Sequence, residues 1–348
     1  LRVVFDFAAP HPPLTVWCLL GTVPAETVRL IASKPGLGSG IAYRPSRSNV
    51  IRRKRESLPM GERELAHRIT QDLGELTSPA FAQLDLTKQV FLLDLASDYL
   101  RYQTETTDSA PPEWKERNRA ILTARSQLRI PSEEFKVAPF AKQPELGHKT
   151  SRAAVGAGWR SNDTFEEVTV RAGYHDLLDP EVGYTPDAQI EIATVSVRHY
   201  NRMDQTRIER ATLANVLSLS PIDSVFRAPS WKFNVGMQTI KHNECQLCSN
   251  GVMNVGIGGA MESRLLKREV LFAFAETEAN YSRAYLERHR IGGGGTVGIL
   301  ADITDQWKMM ATGTYLKYGL VEQSDDIRCF LWSRYTIYQN CVLRLADS

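Results

Sequence analysis

The sequence predicts an α+β protein: an N-terminal helical segment, then a large antiparallel β-barrel of about 12 strands of the outer-membrane type, with a soluble β-domain as the alternative. Three observations predict it. From about Arg152 to Leu345 the chain breaks into short alternating segments, such as Trp231, Phe233, Val235 and Met237 interleaved with Lys232, Asn234, Gly236 and Gln238. A strand sends successive side chains to opposite faces, so each segment has one apolar face and one polar or tiny-residue face. Second, the non-apolar face mixes Gly, Thr, Asn, Arg and Glu, as a polar lumen does, whereas a sandwich puts charges on its water face and keeps fewer glycines mid-strand. Third, Trp159, Tyr174, Tyr200, Trp231, Tyr281, Trp307, Tyr318 and Tyr338 fall near strand ends, where an interfacial girdle places aromatics.

The four regions follow in order. Residues 1–57 read as an irregular joining segment, the remnant of an upstream domain, with one short helix over Pro24–Ile31 capped by Thr22. The basic run Ile51–Ser57 reads as a solvated loop, with a phosphate or lipid-headgroup contact as the minority reading. Residues 58–128 read as a helical domain. Leu65, Ile69 and Leu73 form one stripe, Leu84–Tyr102 is a buried helix, and Glu113–Leu128 is a third. Residues 129–148 read as a Pro-containing linker, and residues 149–348 as the barrel. In the strand over Ala188–Tyr200 the apolar parity slips near Ala193, which predicts a bulge. "LFAFAETEAN" and "LANVLSLS" alternate poorly and count against the barrel. Short turns on one side and longer loops on the other, such as "SPIDSVFRAPS" and "IKHNECQLCSNG", count for it.

A net charge of +2 points to no nucleic acid partner. No apolar run reaches the roughly 18 residues of a transmembrane helix, which leaves barrels untouched. The opening "LRVVFDF", and an odd strand count with no closing aromatic strand after Leu345, suggest a fragment.

The residues that could carry chemistry are few. Cys245 and Cys248 form a CxxC between two predicted strands, and a local disulfide is the plainest outcome, ahead of inert thiols or metal. His242 nearby does not complete a metal site, and Cys18, Cys329 and Cys341 stand apart. Cys18 with His11 has no positioned third group. His67, His148, His175, His199 and His289 are isolated in sequence. Asp94 and Asp98, one turn apart, read as partners of Arg or Lys across a helix interface rather than a metal or acid-base pair. The run Gly292–Gly295 lacks the Lys-Ser/Thr of a phosphate loop and reads as a turn entering a strand. Asp176, Asp179 and Asp223 read as turn residues. No catalytic, cofactor or metal residue is assigned.

The segments "ILTARSQL", "GHKTSRAAVGAGW", "RAGYHDLLDPEVGYTPDAQIE" and "LSLSPIDSVFRAPSWKFNVGMQ", then the CxxC and "VGIGGA", occur in the order seen in one family. Together with "VPAETVRLI" and "YRPSRSN", they make most of residues 22–345 resemble the C-terminal two-thirds of proteobacterial envelope proteins that carry the Lnb N-terminal periplasmic domain. The resemblance implies a Gram-negative envelope location, in the outer membrane with a periplasmic N-terminal part, and membrane lipid as a partner. It implies an upstream thiol acyltransferase or hydrolase-like domain with Gly-His and Asn-Cys motifs, acting on lipoprotein or phospholipid. Neither motif occurs in this chain, and Cys18 in "TVWCLLG" lacks the preceding Asn. The expected function is therefore a non-catalytic outer-membrane module that anchors or orients such a domain. An envelope enzyme for lipid or peptide acyl transfer, or a small transport pore, are the alternatives.

Overall fold

The structure is a computed structural model that describes residues 2–5, 31, 41–136, 147–160, 162–181, 184–222, 228–243, 245–263, 265–320, 323–338 and 341–347. His11, Cys18, Thr22, Asp223 and all of the Pro24–Ile31 helix except Ile31 lie outside the described residues. The chain divides into two compact units, one built on Ile31–Ala141 and the other on Lys142–Ser348.

The first unit is mostly helical. A two-stranded antiparallel ladder, β1 (Arg2–Phe5) with β2 (Ile41–Arg44), accompanies α1 (Arg47–Glu56), α2 (Met60–Gln71), a 3-10 turn (Leu73–Thr77), α3 (Pro79–Ala82), α4 (Leu86–Thr106) and α5 (Pro112–Gln127). Side-chain oxygens of Ser46, Ser78 and Asp85 accept from the free N–H groups of α1, α3 and α4, which fixes where those helices begin. Ile51, Leu65, Ile69, Leu92, Leu93, Leu100 and Ile121 form its buried apolar interior. Asp94 accepts from Arg125 at 3.0 Å and Asp98 from Lys54 at 2.7 Å, so both aspartates join helices as ion pairs. The basic run is helical rather than a loop: α1 buries Ile51 inward, and Arg53 pairs with Glu56. Regular structure therefore starts well before residue 58, because Ser46 supplies a cap that composition alone obscured.

The second unit is one eleven-stranded antiparallel meander. Its strands are β3 (Arg152–Arg160), β4 (Asp163–His175), β5 (Ala188–Tyr200), β6 (Gln205–Ser218), β7 (Ser230–His242), β8 (Cys245–Ser263), β9 (Arg268–Tyr281), β10 (His289–Asp302), β11 (Trp307–Leu320), β12 (Ser324–Tyr338) and β13 (Cys341–Asp347). The expected closed barrel of about 12 strands is thus an eleven-stranded curled sheet. Among the described residues β3 pairs only with β4, and β13 only with β12. The proximal rim, where β3 starts, carries the β4–β5 connection, residues 176–187, and β3 ends at the distal rim.

The sheet is inverted. Its outward face is apolar and solvent-accessible: Val155 is 87% exposed, Val297 64% and Ile257 61%. Its inward face is polar and buried: Asn250 is 1% exposed, Glu278 3% and Arg171 2%. Strand β9 explains the poor alternation of "LFAFAETEAN". The period of two holds, with Val270, Phe272, Phe274, Glu276, Glu278 and Asn280 buried while Leu271, Ala273, Ala275 and Thr277 are exposed. The apolar inward positions hide the pattern because they meet Leu177, Leu178, Leu219, Ala260 and Leu300 in a small apolar layer inside the curl.

The glycine run is mid-strand, not a turn, and β10 pairs along it with β9 and β11. A Cβ on Gly292 would lie 2.6 Å from Tyr318 Cδ1, and one on Gly298 would lie 2.3 Å from Phe272 Cζ. These glycines make room for large interior rings. Ala193 has a φ of 50°, and there the side-chain parity of β5 switches, from Ile192 exposed to Thr194 buried. Trp159, Trp231, Tyr281 and Trp307 lie on the outward face near strand ends, but Tyr200 and Tyr318 are fully buried inside. The CxxC is not in a loop; Cys245 opens β8 and pairs with His242 at the end of β7.

Candidate functional site

Residues from both ends of the sheet converge at the proximal rim. Asp176 and Asp179 follow β4 directly, and four guanidiniums reach them: Arg152 from β3, Arg171 from β4, Arg334 from β12 and Arg344 from β13. Arg344 Nη1 lies 2.5 Å and Arg152 Nη1 3.4 Å from the same oxygen, Asp176 Oδ2. Asp179 accepts from Arg171 at 2.9 Å and from Arg344 at 2.8 Å. The curl is therefore clasped by ions across the gap between its first and last strands. Burial alone would raise the Asp176 carboxyl; Arg344, Arg152 and Arg171 outweigh it and hold it well below the usual carboxylate range. Burial and its neighbour Asp176 likewise oppose ionisation of Asp179, and Arg344, Arg171 and Arg334 prevail.

The connection between β4 and β5 is tied down on both sides, over residues 176–181 and at Asp187. Arg334 donates to the Leu178 carbonyl at 2.6 Å, and Lys308 donates to the Leu177 carbonyl at 3.2 Å and to Glu181 at 2.9 Å. Asp187, with a φ of 56°, accepts both Nη groups of Arg268. Leu177 and Leu178 enter the apolar layer, so this segment fills the proximal end of the curl. Asp176 and Asp179 are thus ion-pair centres and not simple turn residues.

His148 and His175, isolated in sequence, meet beside the clasp. His148 Nδ1 faces the Lys149 carbonyl at 2.7 Å, and a carbonyl can only accept. The proton therefore sits on Nδ1, and Nε2 accepts from His175 Nδ1 at 2.9 Å. Tyr184 stacks on both rings, at 4.4 Å from His148 and 4.5 Å from His175, and its hydroxyl donates to the His148 carbonyl. Burial lowers the basicity of His148 and keeps it neutral. His148, His175 and Asp179 offer atoms within 4.8 Å of one another, the spacing of a metal group. The chemistry fits a cation poorly: the His148 lone pair accepts from His175, the Asp179 oxygens are held by arginines, and the surrounding charge is positive.

Deeper inside, Glu278 accepts from Arg328 at 2.7 Å, Tyr318 at 2.9 Å, Asn280 at 3.0 Å and Asn254 at 3.2 Å. Glu276 accepts from Thr296 at 2.6 Å and pairs with Lys232. Glu209 joins Arg160, Arg198 and Tyr200. A buried carboxylate needs this density of donors, and each of these three is met by several. Cys245 and Cys248 are joined by a disulfide, and Cys329 is a free, exposed thiol. The Thr206 hydroxyl lies 2.9 Å from His199 Nδ1, and Asp204 lies 3.9 Å from the other ring nitrogen, at the exposed β5–β6 hairpin of the distal rim. Sequence spacing could not reveal the clasp, because its arginines come from four strands up to 192 positions apart.

Fold and site together define an α+β protein whose β unit is a curled antiparallel sheet with an ion-clasped, charged interior. The chain belongs to the family described as Domain of unknown function (DUF7840), which matches residues 141–347. A second description, Domain of unknown function (DUF7842), matches residues 41–137. These two matches coincide with the β and helical units. No curated protein and no solved structure matches the chain.

Proposed function

We propose that the β unit is an outer-membrane β-barrel module, with the helical unit on the periplasmic side. In this reading the chain anchors or orients a periplasmic thiol acyltransferase or hydrolase-like domain and is not itself catalytic. The observation that carries the membrane reading is the inversion of the sheet. Exposed Val155, Val170, Leu213, Val255, Ile257, Val297 and Leu331 form an apolar outer band, while Arg171, Glu191, Glu276, Glu278 and Arg334 are buried within. Water drives apolar groups inward, and lipid removes that drive on the outer face. Outward charges such as Glu166, Lys317 and Asp325 keep near strand ends at the distal rim, where headgroups and water begin. Outward aromatics near both rims, Trp159 and Tyr281 distally and Trp231 and Trp307 proximally, fit an interfacial girdle. Among the described residues no helix is long and apolar enough to cross a membrane, so any span belongs to the strands.

The anchoring role rests on the resemblance to Lnb-domain envelope proteins. The filled proximal end, with Leu177 and Leu178 packed inside, favours an anchor over an open pore. The test is electrophoretic mobility of the detergent-solubilised chain with and without boiling. A barrel runs as a compact, faster species before boiling. Identical mobility, together with full solubility in detergent-free buffer, would overturn the membrane reading.

A further inference from the structure

Two histidines and a tyrosine beside the clasp make a contact that holds only while the rings are neutral. His148 sits in the segment that enters β3, His175 ends β4, and Tyr184 lies in the connection to β5. The imidazoles lie edge to edge in nearly one plane, with centroids 5.1 Å and planes 13° apart. Tyr184 covers both, its ring 10° from parallel to His148 and 7° from parallel to His175. One proton joins the pair: His175 Nδ1 donates to His148 Nε2, while His148 Nδ1 donates to the Lys149 carbonyl. A proton added to His148 Nε2 sets two N–H groups against each other. The closed pair takes it only by moving the His175 proton to Nε2, an atom buried without a hydrogen-bond partner. A second proton leaves no acceptor between the rings.

The surrounding charges do not welcome a cation there. Arg171 from β4, Lys308 from β11 and Arg334 from β12 act on the rings, against Asp176 and Asp179 of the connection. Both carboxylates already serve guanidiniums, Asp176 those of Arg152 on β3 and Arg344 on β13, and Asp179 those of Arg171 and Arg344. Lys308 is shared by Glu181 and Asp302, and Lys149 is exposed. We infer that the His148–His175 contact is a proton-released latch: in mild acid the rings part and Tyr184 leaves them, while the arginine clasp beside them stays shut. Burial holds His148 below its ordinary 6.5, so the closed form resists the proton that an open, hydrated ring accepts, and acid favours opening. The clasp outlasts the latch because Asp176 and Asp179 are held below their ordinary 3.8. Between about pH 6 and about pH 4.5 the connection thus stays anchored at Asp176, Asp179 and Asp187 and is released at Tyr184. This latch depends on the fold alone and stands whether or not the β unit spans a membrane.

Hydroxyl-radical footprinting of the full chain in detergent micelles tests the latch, because it reads the exposure of individual side chains at any pH. Oxidation of Tyr184 should rise several-fold between about pH 7.5 and about pH 5, with roughly thirty-fold as the ceiling for one proton taken up near 6.5. Leu177 and Leu178, packed beside the clasp, and the fully buried Tyr200 and Tyr318 should stay protected at both values. His148→Gln combined with His175→Gln should make Tyr184 oxidation the same at both. Unchanged oxidation of Tyr184 in the wild type would overturn the latch. So would a rise at Leu177 and Leu178 together with Tyr184, since the latch and the clasp would then be one event. A double variant that keeps the full rise would overturn it too, by assigning the proton to another group. Where Tyr200 and Tyr318 are oxidised in the double variant at both values, that variant has not folded, and the wild-type readings at Tyr184, Leu177 and Leu178 decide.

Discussion

The two units solve burial in opposite ways. In the helical unit Ile69, Leu92 and Ile121 are fully buried, while Arg53, Glu105 and Lys88 pair at the surface. In the β unit Val155, Leu213 and Ile257 are exposed, while Arg171, Glu278 and Arg334 are buried. One chain thus uses the ordinary rule of water and its inverse. The first unit gains from removing apolar area from water, at roughly 25 cal/mol per Å². The second gains little that way in buffer, because its apolar face is the exposed one. Under the proposed membrane reading, the difference marks a change of solvent along the sequence.

The sharpest way to break that comparison is to separate the units. Residues 41–137 alone should give a soluble monomer without detergent, and residues 141–348 alone should precipitate without it. Sedimentation in detergent-free buffer checks both. A soluble, monomeric β unit would erase the contrast. Next in size is the clasp. Asp179→Asn leaves Arg171 and Arg334 short of a buried counter-charge. Breaking a buried pair on one side typically costs about 3–5 kcal/mol. The temperature at which the unboiled form converts to the boiled form should fall markedly, while the helical unit's own melting is unchanged.

A lipid-facing charge should follow closely. Val170→Arg puts a cation in the middle of the outer face of β4, and such changes cost roughly 2–4 kcal/mol at a bilayer midplane. Reconstitution yield into vesicles should fall for Val170→Arg and stay near wild type for Lys317→Arg, which lies at the distal end of β11. Equal yields would deny the outer face its lipid contact.

The contrast between units also accounts for what could be read in the sequence. Helical stripes such as Leu65 and Ile69, and strand faces such as Val168 and Val170 against Thr169 and Arg171, are local periodicities, so they were legible. Asp94 and Asp98 were legible because neighbouring helices supply cations generically. The clasp was not, since the curl of the meander, and no motif, brings Arg152 towards Arg344. The His148–His175 pair escaped for the same reason: a connection that folds back inward joins residues with no fixed spacing. The glycine run misled because its tiny side chains make space for Tyr318, a partner known only once β10 and β11 are in register.

Acid should weaken the clasp in two stages. Asp176 and Asp179 are held below their ordinary 3.8, so their stabilising share is complete above that value and is lost as pH falls through it. His148 is held below its ordinary 6.5. The unfolded chain takes up that proton as pH drops below 6.5 and the folded one resists it, so stability begins to decline there. The conversion temperature should be flat between pH 7 and 8, decline gently below 6.5, and fall steeply below about 4. His148→Gln should lessen the first decline without abolishing it, because buried His175 shares the site, and should leave the second. A midpoint independent of pH from 7 to 4.5 would place both histidines in water.

The smallest effect tests the distal end of the β unit, far along the strands from the clasp. A regular strand advances about 3.3 Å per residue, so Cys245 and Cys248 would stand about 10 Å apart at their Cα atoms. They stand 5.9 Å apart, and the β7–β8 register shifts between Ile240 and His242 to absorb the coil. The disulfide therefore holds a local irregularity where the hairpin turns, and the long-range contacts across the gap belong to the ion pairs. Cys245→Ser with Cys248→Ser should cost at most about 2 kcal/mol, because the loop it closes is short. Amide exchange should speed up around 242–249 and stay unchanged at 268–281. Loss of the compact unboiled form on reduction would move the burden of closure from the proximal arginines to this distal hairpin.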